Sequence, residues 1–196
     1  DDLCGLYNRR SLTDALNRTL SEPNGQWGAL LLVDLDNFKT INDSLGHAYG
    51  DMLLQAVVAR LKELPQDNLV LARTSGDEFA LLFTALGQGY VTAKILAEHF
   101  ARELMGQFRA PFDIESHKLH CSASIGISLF SGEDKDHLIL MQQADTAAHM
   151  AKRGGQGSYV FFSQAMAEKE RSKLALSNQL RDALRNHELL LHYQPQ

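Results

Sequence analysis

Two short acidic stretches hold the residues best suited to chemistry. In "RTSGDEFALLF", Arg73 to Phe83, the residues Ser75-Gly76-Asp77-Glu78 separate the strand-like "NLVLAR" from the strand-like "FALLF". This spacing predicts a tight hairpin turn, in which Gly76 suits a positive φ and Ser75 can hydrogen-bond its own turn backbone. Asp77 and Glu78 then open the second strand, although both residue types are depleted in strands. Adjacent carboxylates on a rigid turn repel each other unless a cation, a helix N-terminus or solvent relieves them. In "VDLDNF", Asp34 closes an apolar strand, and alternation places Asp34 and Asp36 on the same side. If that strand lies beside the hairpin, Asp34 and Asp77 converge into a hard oxygen site. Such a site suits Mg²⁺, which takes one or two carboxylates and leaves its other positions to water and phosphate oxygens. Each stretch alone also reads as an ordinary solvated turn or strand cap.

The remaining polar positions suit a nucleotide. "KTINDSLGHAYGD" supplies Lys39 for phosphate charge, with Asn42 and Asp51 for a base edge. Together Asn and Asp offer a donor and acceptors able to read the carbonyl, N1–H and exocyclic amine of guanine. His47, inside this polar stretch, is the one histidine placed near a ligand; the others share no motif. Lys152 and Arg153 end a helix just before "GGQG" and can reach further phosphates. Lys152 is equally a cation favourably placed at a helix C-terminus. There is no GxxxxGK[ST] stretch, so the chain is not a P-loop protein. No Ser-His-Asp or Cys-His pattern stands out.

The elements that must position these groups alternate in type. "SLTDALNRTLSE" reads as a helix with Ser11 as its N-cap, and "WGALLLVDL" as a buried strand. The polar "DNFKTINDSLGHAYGD" precedes a helix expected from Asp51, with apolar residues at helical spacing up to Leu64 and Pro65 as its stop. The Val70 and Phe79 strands form the hairpin, and "TAKILAEHFARELMGQF" an amphipathic helix. "APFDI" with "KLHCSASIGISLF" reads as a second hairpin. "DHLILMQQADTAAHMAKRGG" is a helix closed by Gly154-Gly155, and "SYVFF" a last strand. The expected fold is α/β, a mixed central β-sheet flanked by helices. After Phe162 comes a charged connector helix, 163–187, with a narrow stripe of Leu176, Leu180 and Leu184. A strand-like segment, 188–196, follows.

The 196 residues carry a net charge of −5 and 44% hydrophobic residues. That composition is globular, with no global pull toward nucleic acid or anionic membrane. Cys4 and Cys121 form neither a metal-binding spacing nor a disulfide framework, and they read as reduced cytoplasmic thiols. No apolar run approaches the roughly 20 residues of a membrane span. A start without Met suggests a cytoplasmic fragment cut from a larger protein, and any membrane or sensor segment would lie outside it.

Five stretches in order resemble the GGDEF family of diguanylate cyclases: "DLCGLYNRRSL", "LLLVDLDNFKTINDSLGHAYGD", "ARTSGDEFALLF", "SIGISLF" and "ADTAAHMAKRGGQGSYVFF". They span 1–162. The tail "LRDALRNHELLLHYQPQ" resembles the opening of the EAL phosphodiesterase domain that often follows. The resemblance implies a palm-like fold related to nucleotidyl cyclases. It also implies condensation of two GTP into cyclic di-GMP across a transient homodimer. By motif, Asp34, the Leu35 carbonyl and Asp77 would ligate Mg²⁺ (or Mn²⁺). Asp77 would be the base for the 3′-hydroxyl, with Glu78 supporting the metal. Asn42, His47 and Asp51 would hold the nucleoside, Lys39 and Lys152 the phosphates, and Ser75 and Gly76 the turn against the nucleotide.

The sequence departs from the family at several points. Ser75 replaces the first Gly of the signature, adding a Cβ where backbone approaches nucleotide. Gln156 stands where many active members carry Arg, Cys4 where they carry Thr, and His149 where Tyr is common. Gln66 and Leu69 replace the charged residues of the RxxD product-inhibition motif. Two readings result: an active or weakly active diguanylate cyclase, or a GTP-binding module that tunes an EAL phosphodiesterase without making product.

Overall fold

The computed structural model describes residues 1, 3–21, 25–64, 67–134, 136–186 and 188. Two compact units divide at the end of the resembling region: Asp1–Phe162 and Ser163–Gln196.

The first unit is built on one five-stranded sheet. In chain order it contains α1 (Arg9–Ser21), β1 (Gly28–Leu35), α2 (Phe38–Leu45), α3 (His47–Leu61), β2 (Leu69–Ser75) and β3 (Glu78–Phe83). Then come α4 (Tyr90–Gln107), β4 (Phe112–Ile114), β5 (His117–Leu119), β6 (Ala123–Phe130), α5 (His137–Gly154) and β7 (Tyr159–Phe161). The sheet order is β2-β3-β1-β6-β7. β1 is central and antiparallel to both β3 and β6, while β7 joins β6 in parallel. The continuous apolar run of β1 follows from this position, since a central strand is covered on both faces.

Alternation along β1 and β3 separates two cores. Leu31, Val33, Leu35, Phe79, Leu81 and Phe83 pack with α3 and α4 residues such as Leu53, Val57 and Ala97. Leu30, Ala80 and Leu82 pack on the other face with Leu12 and Leu16 of α1 and Leu140 and Ala144 of α5. α5 lies unusually near the sheet. A Cβ on Gly126 of β6 would fall 2.0 Å from the Ala144 carbonyl oxygen and 2.2 Å from the Ala148 nitrogen. That close approach, lined by Ala144, Ala147, Ala148 and Ala151, fixes where the C-terminal end of α5 emerges.

Four details differ from the sequence expectations. Asn8, not Ser11, caps α1: its Oδ1 accepts the Ser11 N–H at 2.9 Å, which makes Ser11 an N3 residue. The polar stretch is helical, because α2 forms at once after β1 and α3 begins at His47 rather than Asp51. Gly46 separates the two helices at φ 91°, a value that disfavours side chains. Finally, "KLHCSASIGISLF" is two strands. β5 pairs only with β4, and β6 belongs to the main sheet.

The second unit contains α6 (Gln164–Arg185), whose Leu176, Leu180 and Leu184 are exposed. The segment expected as a further strand, 188–196, lies outside the described residues apart from Glu188, as does Gln66. Among the described residues no helix is long and apolar enough to cross a membrane.

Candidate functional site

β1 and β3 bring the two acidic stretches together. Their register places Asp34 directly opposite Glu78. Side chains directly opposite in an antiparallel pair are near neighbours, so like charges there repel. Both point to the α1/α5 side, following the even-numbered positions of their strands. Asp77 stands one residue earlier, in the two-residue turn Gly76-Asp77 between β2 and β3. Its carbonyl accepts the Leu35 N–H at 3.2 Å, which ties the turn to the end of β1.

Lys152 supplies the positive charge. From the last turn of α5 its ammonium lies 2.5 Å from Asp34 Oδ1, a buried oxygen that accepts no well-aligned hydrogen bond. Burial is the largest influence on the Asp34 carboxyl and raises its pKa. Lys152 opposes that shift, and the nearby charges of Asp77 and Glu78 reinforce it. Ionised Asp34 therefore sits in a position that asks for more positive charge than one lysine gives. Among the described residues no group of three or more His, Cys, Asp or Glu side chains forms a ready-made metal cage. The donor chemistry nevertheless fits a hard dication such as Mg²⁺, which needs only one or two carboxylates when phosphate and water complete its shell. Cys121 is not part of such a set: burial pushes its thiol up to about 12, with Asp36 and Asp77 adding to the shift.

Asp36 keeps to the Asp34 side, as alternation suggests, but its part is structural. β1 ends at Leu35, and the carboxylate turns inward, 2% exposed. It accepts Ser122 Oγ at 2.5 Å, Ser124 Oγ at 2.7 Å and the Gly157 N–H at 2.9 Å. Asp36 is thus a structural clasp joining β1, the start of β6 and the loop after α5. It anchors the segment that carries Lys152.

The turn itself is braced by a residue not singled out in the sequence. Arg73 donates from Nε and a terminal nitrogen to the Gly76 carbonyl, at 2.9 and 2.7 Å, and ion-pairs with Asp1 at 3.2 Å. An arginine three residues before a turn glycine was the available signal. Gly76 takes φ 35°, so the turn does need its glycine at this position.

The nucleoside candidates gather on α2 and α3. Lys39 is exposed in the first turn of α2, while His47 and Asp51 are exposed one helical turn apart on α3. Asn42 packs against Gly50, where a Cβ would lie only 1.9 Å from its Oδ1. That Oδ1 is buried without a hydrogen-bond partner. Gln156 exchanges two amide hydrogen bonds with Asn37, at 2.9 and 3.3 Å, just ahead of α2.

A mixed sheet with helices on both faces and carboxylates gathered at one strand end defines an α/β domain with an acidic, oxygen-rich edge. The chain belongs to the GGDEF-domain family of diguanylate cyclases, whose pattern, described as "Diguanylate cyclase, GGDEF domain", matches residues 1–158. It is 38% identical over 197 residues to the bifunctional diguanylate cyclase/cyclic di-GMP phosphodiesterase MucR of Pseudomonas aeruginosa, covering 100% of this chain and 28% of MucR. It is 34% identical over 195 residues to the cyclic di-GMP phosphodiesterase PdeR of Escherichia coli, covering 100% of this chain and 29% of PdeR. The chain thus spans less than a third of these relatives. The solved GGDEF domain of TpbB (YfiN) from Pseudomonas aeruginosa matches with a TM-score of 0.80 at 30% identity, over 87% of this chain and 98% of that one.

Proposed function

We propose that this domain condenses two GTP molecules into cyclic di-GMP, each GTP held by one subunit of a transient homodimer. The observation that carries the reading is the register pair Asp34–Glu78, with Asp77 beside it and Lys152 on Asp34. Like charges held opposite each other on rigid strands are unfavourable unless the site is meant to hold a cation. Asp34, the Leu35 carbonyl and Asp77 would hold Mg²⁺, which when bound neutralises phosphate charge and stabilises the attacking and leaving oxygens.

The chain's own groups do the rest. Lys152, which pairs with Asp34, would meet the triphosphate from α5, and Lys39 from α2. The first N–H groups of α2, which have no side-chain cap at Asn37, would add the positive end of the helix. Asn42, whose Oδ1 has no internal partner, would turn its amide to an edge of guanine. Asp51 and His47 complete the nucleoside contacts. Asp77 accepts the proton of the 3′-hydroxyl as that oxygen attacks the α-phosphorus of the other GTP and pyrophosphate leaves, and Glu78 holds the electrostatics of the turn.

One observation favours a second reading, a GTP-binding regulator of an adjoining EAL phosphodiesterase. Gln156, at the position of an expected arginine, is engaged with Asn37 and contributes no charge. Incubating the purified domain with GTP and Mg²⁺ and separating the products by chromatography distinguishes the two. Cyclic di-GMP supports catalysis; GTP bound but unconverted supports regulation.

A further inference from the structure

Ser75 departs from the glycine of the family signature, and its surroundings give that departure a use. The residue pairs with Glu78 across the turn, just after a register irregularity that leaves Thr74 as the extra residue. Irregularities of this kind re-aim side chains. Among the described residues positive φ occurs outside glycine only at Asn37, Asn68 and Glu115, so Ser75 is not strained by its Cβ. The Ser75 hydroxyl donates to Glu78 Oε2 at 2.6 Å, the short distance of a charge-assisted bond. Thr74 Oγ1 stands 3.5 Å from the same oxygen and 3.3 Å from the Glu78 carbonyl oxygen.

We infer that Ser75 is a positioning residue, whose hydroxyl holds the Glu78 carboxylate in place at the start of β3, opposite Asp34. The inference rests on the reading of this turn as a Mg²⁺–nucleotide site. Glutamate loses much rotamer freedom when fixed, and a group fixed before its ligand arrives does not charge that loss to binding. Ser75 therefore strengthens the site instead of crowding it. A glycine at this position lacks the hydroxyl and leaves Glu78 free to rotate.

The test titrates Mg²⁺ against calorimetric binding of 3′-deoxy-GTP, which cannot form product. Ser75→Ala and Ser75→Gly should each raise the Mg²⁺ midpoint about tenfold, the loss of one hydrogen bond to a charged group. Ser75→Thr, which keeps the hydroxyl, should stay near the parent. In a Glu78→Gln background Ser75→Ala should add little, because the charged acceptor is already gone. Thermal melting without nucleotide checks that the exposed substitutions leave the fold intact. Midpoints for Ser75→Ala and Ser75→Gly equal to or below the parent's overturn the inference. So does an alanine effect that persists in full in the Glu78→Gln background. A parent that fails to bind 3′-deoxy-GTP with Mg²⁺ overturns the functional reading as well, an outcome distinct from a parent that binds and an alanine variant that matches it.

Discussion

Asp36→Ala is the substitution with the largest expected structural effect, although Asp36 lies only two residues from Asp34. The side chain is 2% exposed and takes three donors, Ser122 Oγ, Ser124 Oγ and the Gly157 N–H. Hydrogen bonds to charged groups contribute about 1.5–3 kcal/mol each, and orphaned buried donors cost about 1–3 kcal/mol. The two hydroxyls can rotate toward other acceptors and the Gly157 N–H cannot, so the net loss should be ~3–5 kcal/mol rather than the full sum. With a urea dependence of ~2 kcal/mol per M, the unfolding midpoint should fall by ~2 M, a large part of an ordinary domain's stability. Asp36→Asn keeps one acceptor and should lose ~1–2 kcal/mol. Urea unfolding followed by circular dichroism measures both. An alanine variant within ~0.5 kcal/mol of the parent, the range of an inconsequential surface change, would refute the clasp.

The remaining predictions concern the site. Asn42→Ala should leave stability nearly unchanged, because Oδ1 has no partner to lose; it should weaken GTP by ~1–3 kcal/mol and ATP much less, read by calorimetry with both nucleotides. Gly50→Ala should behave differently, since its Cβ must displace Asn42: a stability loss of ~1–3 kcal/mol, seen in urea, together with weaker GTP binding. Asp34 has its folded pKa raised, chiefly by burial, so ionising it opposes folding. That penalty is absent below the ordinary value of 3.8, grows as pH rises through the folded pKa, and is complete above it. Asp34→Asn should therefore melt at or above the parent at pH 7, with the advantage vanishing near pH 3, while Mg²⁺-dependent GTP binding is lost.

Much of the acidic site was legible because its signals are local. A glycine turn between apolar runs announces a hairpin, and a carboxylate closing an apolar strand announces an exposed strand end. The neighbour relation of Asp34 and Glu78 came from the register of β1 and β3, which no local pattern contains. Asp36 lies on the Asp34 side as alternation suggests, but its burial as a clasp could not be read from local pattern. The serines that receive it lie 86 and 88 positions away in the chain. α2 and the start of α3 were hidden by polarity and by two glycines that normally break helices. Gly46 does break one, but Gly50 sits inside α3 because Asn42 leaves no room for a Cβ. β5 and β6 looked like one strand because no glycine or proline separates them; only their different partners do. Arg73 was read as a strand residue, and its hold on the Gly76 carbonyl depends on the turn having closed.

The central claim is that the carboxylates of the turn and of β1 exist to hold a dication with a triphosphate. Asp77→Asn tests it most directly, since shape and volume are kept while the charge is removed. Calorimetric GTP binding should be measured for parent and variant over a range of Mg²⁺ concentrations. The account predicts that the parent tightens as Mg²⁺ rises, and that Asp77→Asn is nearly insensitive to Mg²⁺ while folding as stably as the parent or slightly more so, with one of two adjacent like charges gone. Asp77→Asn binding GTP with the parent's affinity and the parent's Mg²⁺ dependence would contradict it, and Asp77 would then be a turn residue only.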